Sequence, residues 1–246
     1  MADPDRGQSE LIGFVLIFGI VIMAISLIGI AGFGSIDAVS DHQRTSSAEE
    51  AMTAMSENIA EVVLEGAPER STEIGLTDAA LGVGEPTTIN VSIEGEGEVG
   101  SVSLEPIVYE ADGNTQLAYE GSAVFRADDG HSLMLREPDM RIDEDRVVLP
   151  LVETTATGSE RIAGTTTVNV ETRRTGTEVA WSNRSIEGET VTIEVSSPHY
   201  EAWERYFDGR DGVTCDVDSE EQTVECTVDP EETLIVTVTT IEVTFR

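Results

Sequence analysis

LIGFVLIFGIVIMAISLIGIAGF, residues 11–33, is apolar from Leu11 to Phe33 apart from Ser26, and it carries no charge. A helix over this run is about 35 Å long at ~1.5 Å per residue, against a hydrocarbon core of roughly 30 Å. Helices of a soluble core are apolar along one stripe, not on every side. The run therefore predicts a long hydrophobic helix, with Leu11, Phe14, Gly19 and Phe33 as its membrane-helix residues, and the rest of the chain is read outward from it.

A short polar leader precedes it, ending Asp5-Arg6-Gly7-Gln8-Ser9-Glu10. A secretory signal pairs a basic start with an apolar run of roughly 7–15 residues and a small-residue cut site behind that run. Here the run is longer, no Ala-x-Ala follows it, and the candidate processing site, Arg6-Gly7 before Gln8, stands in front of it. A cut there leaves the apolar segment on the mature chain.

The stretch RGQSELIGF, Arg6 to Phe14, resembles the class III signal of archaeal type IV pilin-like proteins, haloarchaeal ones especially. The resemblance implies a prepilin peptidase acting after Gly7 and a new N-terminus at Gln8. The helix behind it would then bundle with other pilin-like subunits or hold the subunit at the membrane. Glu10 is the candidate assembly residue, pairing with a neighbour's α-amino group. The pattern departs from many haloarchaeal pilins, which resemble Ser-Pro-Val-Ile-Gly where this chain has Ser9-Glu10-Leu11-Ile12-Gly13. The alternative is an unprocessed single-pass anchor bearing an extracellular binding domain that does not polymerise.

Beyond Gly34 the helical pattern continues. Ala48, Met52, Met55, Ile59 and Val62 recur at intervals of four and three with Glu49, Glu50, Ser56, Glu57 and Glu61 between them, a narrow stripe on a polar rod. Gly66 and Pro68 are its stop signal. From there the period becomes two. Thr88–Ile93, Val102–Leu104, Thr167–Val170, Thr190–Val195 and Leu234–Val238 alternate as half-buried strands do. Val147–Val152 is apolar throughout, which predicts a strand covered on both faces with Pro150 at a bulge or edge. Turn chemistry separates the strands at Gly95-Glu96-Gly97, Asp112-Gly113-Asn114, Asp128-Asp129-Gly130, Glu187-Gly188 and Asp211-Gly212. One helix interrupts them: Ser197 as cap, Pro198 in the first turn, then Tyr200, Trp203 and Phe207 on one face before Gly209. That segment also resembles one found in haloarchaeal pilin-like surface proteins.

The expected fold is thus α+β: a long N-terminal hydrophobic, pilin-like helix followed by an antiparallel β-sandwich-like domain with one short helix. The divisions are a leader over 1–7, a helix over 8–66 and an acidic β-rich extracellular domain over 67–246.

Charge narrows the function. The formal charge is −34, from 48 acidic residues against 14 basic ones, all of them Arg. Such a surface repels itself at low ionic strength and suits strong brine, where ~1 M salt cuts the screening length to about 3 Å. Acidic composition without Lys resembles haloarchaeal proteins generally. Nucleic acid is not an expected partner, because phosphate contacts need a Lys/Arg patch and none is visible.

Chemistry-bearing motifs are sparse. His42, His131 and His199 are scattered without ligand spacing, there is no Gly-x-Ser-x-Gly elbow, and no His neighbours either Cys. Carboxylate pairs among 48 acids identify nothing, and Asp143-Glu144-Asp145 lacks the Gly-containing calcium-loop pattern. No catalytic residue, cofactor or metal is expected. In a hairpin looping over Ser219–Gln222, Cys215 falls opposite Cys226 on the face of Val217 and Val224, so the pair is either a disulfide or two buried thiols. Asn90-Val91-Ser92 and Asn183-Arg184-Ser185 are sequons, making Asn90 and Asn183 glycan candidates on an exterior chain. The sparse motifs predict a non-enzymatic protein, and the pilin-like resemblance implies a surface protein acting in adhesion or surface assembly. It would sit at the cell membrane with its C-terminal domain outside, or in an extracellular pilus.

Overall fold

The computed structural model describes residues 4–111, 115–143, 145–183, 186 and 188–246, at 4–12 and 27–42 the backbone only. The chain divides into two compact units, 1–46 and 47–246. A helix, α1 (Pro4–Leu64), is followed by β1 (Glu69–Val83), β2 (Thr87–Ile93), β3 (Gly97–Leu104), β4 (Ile107–Glu110), β5 (Thr115–Glu120), β6 (Ala123–Asp128), β7 (His131–Arg136) and β8 (Arg141–Ile142). Then come β9 (Arg146–Gly158), β10 (Arg161–Asn183), β11 (Val191–Ser196), α2 (Tyr200–Asp208), β12 (Thr214–Asp218), β13 (Thr223–Val228) and β14 (Thr233–Phe245).

In the second unit the strands form two sheets, ordered β7-β6-β5-β4-β1-β10-β14-β9-β8 and β12-β13-β11-β2-β3. They pack face to face over Ile89, Val91, Val102, Val191, Ile193 and Val195 from the smaller sheet and Leu149, Leu151, Leu234 and Val236 from the larger. The far face of the larger sheet is covered by the outer part of α1, where Met52, Met55, Ile59 and Val62 lie at most 1% exposed against Ile74, Tyr109, Tyr119, Val170 and Val243. The four-and-three spacing of that stripe is what lets one helix face seal one sheet face. Arg70 and Arg126 clip it down through Glu61 and Glu49, at 2.5 and 2.7 Å. With both faces covered, β9 needs apolar residues at every step: Leu149 and Leu151 point into one core, Val152 into the other. Pro150 falls where β8, paired only through Arg141 and Ile142, has already ended, so its missing N–H breaks no ladder there.

Two parts of the expected architecture are corrected. Strands dominate the described chain, and among the described residues no helix is long and apolar enough to cross a membrane. The β unit is also not purely antiparallel: β14 runs parallel to β9 along its whole length, Thr233 against Arg146 to Phe245 against Gly158. A parallel pair needs a long crossover. The smaller sheet's strands β11 to β13, with α2, lie within that connection. A lesser correction concerns α2, which starts at Tyr200 with His199 at the cap position and no side-chain cap. The hydroxyl of Ser197 instead accepts the N–H of His199 at 2.9 Å.

Candidate functional site

The buried polar chemistry of the second unit gathers where β5 meets α2. Strand β5 turns into β6 through Gly121 and Ser122, both at positive φ (55° and 69°), a two-residue hairpin that leaves Glu120 opposite Ala123. The positive φ at Gly121 favours glycine, and a Cβ there would press on the tip of the Ile89 side chain at 2.9 Å. Glu120 itself is fully buried. Its carboxyl accepts the indole N–H of Trp203 at 2.7 Å and the hydroxyl of Thr87 at 2.9 Å. Burial pushes its pKa up, opposed by hydrogen bonds from Trp203, Ser197 and Thr87. Donors from α2, from β2 and from the link that leads into α2 make this acid a rivet holding α2 to β2 and β5.

His199 lies beside it, 5% exposed, its ring stacked on Phe125 with centroids 4.7 Å apart and planes 10° from parallel. Its Nδ1 is 2.8 Å from Ser132 Oγ. Burial lowers its pKa to about 4, so the ring is neutral near pH 7. A serine at that distance has the spacing of a nucleophile and its base, but so weak a base abstracts a proton poorly near neutrality. The Ser132 carbonyl, meanwhile, accepts a hydrogen bond from Arg205 of α2. The pair fastens α2 to β7.

Above these groups opens a cleft of about 650 Å³. Its rim is Glu85 and Pro86 of the β1–β2 turn, Pro106 ahead of β4, Glu110 of β4, Gln116 of β5, and Pro198; Glu120 and His199 reach it from inside. Glu110 is held to Arg161, whose hydrogen bond keeps its carboxyl below the usual range. A second concavity of about 630 Å³ lies on the smaller sheet, lined by Glu194, Asp216, Asp218, Glu221 and Glu225. Among the described residues no group of three or more His, Cys, Asp or Glu is arranged to hold a metal ion.

The residues singled out from sequence lie elsewhere. Cys215 and Cys226 are joined in a disulfide across β12 and β13, in the register that sets Val217 opposite Val224. Asn90 is half-buried in β2, its amide donating to Glu194 at 3.0 Å and its oxygen accepting from Ser101 at 2.7 Å. Asn183 ends β10, paired with Leu234; Arg184 and Ser185 of its sequon lie outside the described residues. Phe14 and Gly19 are described and exposed, whereas the side chains of Arg6, Gly7, Gln8, Glu10, Leu11 and Phe33 lie outside the described residues. Glu120 and His199 escaped sequence reasoning because one acid among 48 carries no signal and a lone His has no spacing to read. The available hint was Trp203, an indole on a buried helix face that needs an acceptor.

Residues 6–244 match a family of unknown function, DUF7289. The chain belongs to that family. No curated protein and no solved structure matches it. The match runs through both units of the chain.

Proposed function

We propose that this DUF7289 member is a pilin-like surface subunit. It associates with copies of itself or with related subunits through the apolar segment of α1, and presents its acidic β-rich unit outside the cell for adhesion or scaffolding rather than catalysis. One observation carries the reading. Phe14, Val15, Leu16, Ile17, Phe18, Ile20, Val21, Ile22, Met23 and Ile25 are all between 47% and 69% exposed. Fully burying one such side chain is worth roughly 1.5–3 kcal/mol, so a surface of this extent calls for a cover. Because the side chains point to every side of the helix, one flat partner leaves most of them wet; several parallel neighbours do not. Gly13 and Gly19, with nothing within 4 Å of a Cβ built on either, give neighbouring backbones room to approach. The Cys215–Cys226 disulfide and the charge of −34 support an exterior, salty setting.

The test is the mature protein. N-terminal sequencing of material from sheared extracellular fibres is expected to start at Gln8, and Gly7→Val is expected to abolish both the cut and the fibre-borne fraction. A chain that keeps Met1 or Ala2 and is absent from fibres overturns the reading.

A further inference from the structure

We propose that β7 is a self-association edge: the β7 strands of two copies of this chain pair antiparallel about a two-fold axis centred on Met134. Among the described residues, the larger sheet is edged by β7 and by β9 beyond the two-residue β8, the smaller by β12 and β3. A sheet edge offers unpaired main-chain groups to other chains, and charge is one device that keeps them off. On this chain of −34, β12 carries Asp216 and Asp218, β3 carries Glu98, and β9 carries Glu153 and is capped by Glu105, whose carboxyl accepts the N–H of Ala156 at 2.7 Å. β7 has no acid. It shows Leu133, 59% exposed, and Leu135, 36% exposed, on the row that His131 begins. A second copy of so acidic a chain meets the least repulsion there.

The backbone and the residue order set the register. Asp129-Gly130 is a two-residue hairpin loop with both φ positive (50° and 82°), which makes Asp128 and His131 a hydrogen-bonded pair and turns the main-chain groups of Ser132 and Met134 away from β6. The Ser132 carbonyl accepts Arg205 of α2, and among the described residues no strand lies beyond Met134. Centring the pair on Met134 lets its N–H and C=O exchange hydrogen bonds with the other Met134. The same register sets Leu133 opposite Leu135 of the other copy and His131 opposite Glu137, a donor against a carboxylate, each twice by symmetry. Centred on Leu133 instead, the pair would keep one leucine contact and set His131 against Leu135. A six-residue strand spans about 20 Å, and the extra residue that β7 inserts between Met134 and Arg136 interrupts its ladder, so the pair buries less than the roughly 1,200 Å² of a stable interface. The contact is weak alone. In an assembly held through α1, the reading above on which this step rests, it recurs at each subunit and joins neighbouring copies by avidity.

The experiment uses the full chain at millimolar concentration in strong brine, dispersed in a non-ionic detergent so that α1 does not hold copies together. Leu133→Cys and Leu135→Cys are oxidised separately and as a mixture, and the disulfides between copies are mapped by mass spectrometry. Opposed residues of a non-hydrogen-bonded pair lie about 4.5 Å apart at Cα, within disulfide reach, whereas the diagonal 133–133 and 135–135 pairs are about 7–8 Å apart and beyond it. The mixture is therefore expected to give a 133–135 disulfide about tenfold above either symmetric product. Both positions are exposed, so the unfolding midpoint of the β unit is expected to stay unchanged in each variant. Where the native chain forms fibres, Leu133→Asp is expected to turn bundles into single filaments; a chain that forms no fibres counts against the assembly reading and leaves the disulfide to decide this inference. Equal yields of the three products, a dominant 133–133 product, or no disulfide between copies overturns it, and the last result assigns β7 to a partner other than this chain.

Discussion

Two stretches of α1 are rich in apolar residues and meet opposite fates. Over 48–62 the apolar side chains form a stripe one or two residues wide, and Met52, Met55, Ile59 and Val62 are at most 1% exposed. Over 13–26 they cover the whole circumference, and Phe14 to Ile25 stay open to their surroundings. The difference lies in angular width. A stripe fits one sheet face of the same chain, which supplies Ile74, Tyr109, Val170 and Val243 to meet it. A fully apolar cylinder exceeds what a single surface covers, so its burial waits for other molecules.

Replacing Met55 by Asp breaks the first half of that comparison most severely. An unpaired charge and a cavity at a fully buried site are expected to cost about 3–5 kcal/mol, read as a lowered denaturant midpoint of the β-rich unit. The same change at Ile17 is expected to leave that midpoint within about 0.5 kcal/mol, because no buried contact is lost. Equal effects would show that the two stretches do not differ as described.

Acid sharpens the contrast next, since the second unit holds a buried titratable ring. The pKa of His199 falls from 6.5 to about 4 on folding, so its neutral form adds stability that is complete above about pH 6.5 and drains away toward pH 4, at most about 3 kcal/mol. Glu120 acts in the opposite sense: raised by burial, it loses its contribution as pH rises through its folded value. The readout is therefore the difference in unfolding free energy between the native chain and His199→Gln, expected to shrink below pH 6.5. A difference that stays flat from pH 7 to 4 contradicts the buried neutral ring.

Smaller effects follow. Removing the disulfide with Cys215→Ser and Cys226→Ser, which opens a loop of sequence separation 11, is expected to cost about 2–3 kcal/mol of the β unit and to leave association through 13–26 intact. Arg126→Gln, which releases Glu49 on the stripe-bearing part of α1, is expected to cost less than about 1 kcal/mol, and less still in strong salt, because the pair is part-exposed.

Much of this contrast was legible in the residues. The stripe at Ala48, Met52, Met55, Ile59 and Val62 was readable from its spacing, and all five side chains are buried. Strands of strict alternation, such as β2 and β11, were readable for the same reason: one face of each meets a core. Val147–Val152 announced a doubly covered strand by lacking any polar face. The parallel pairing of β9 with β14 was not legible, since alternation says which face is buried and nothing about which strand lies alongside. Nor were β4 to β7 picked out. Their short runs are cut by Gly121-Ser122 and Asp129-Gly130 turns, and β7 shows Leu133 and Leu135 outward, so hydropathy does not alternate in the usual sense. The cleft depends on Glu120, Glu85 and His199, which lie far apart in sequence and are joined only by that topology. The length of the apolar run at 11–33 suggested a membrane crossing, but run length alone does not choose between lipid and other protein as the cover.

The most direct measurement is sedimentation velocity of the full mature chain in brine, compared with a double variant, Ile17→Asp with Ile20→Asp. The account predicts large assemblies for the native chain and monomers for the variant, with the same β-unit unfolding midpoint in both. Native chain that sediments as a monomer, or a variant that assembles just as well, would contradict it.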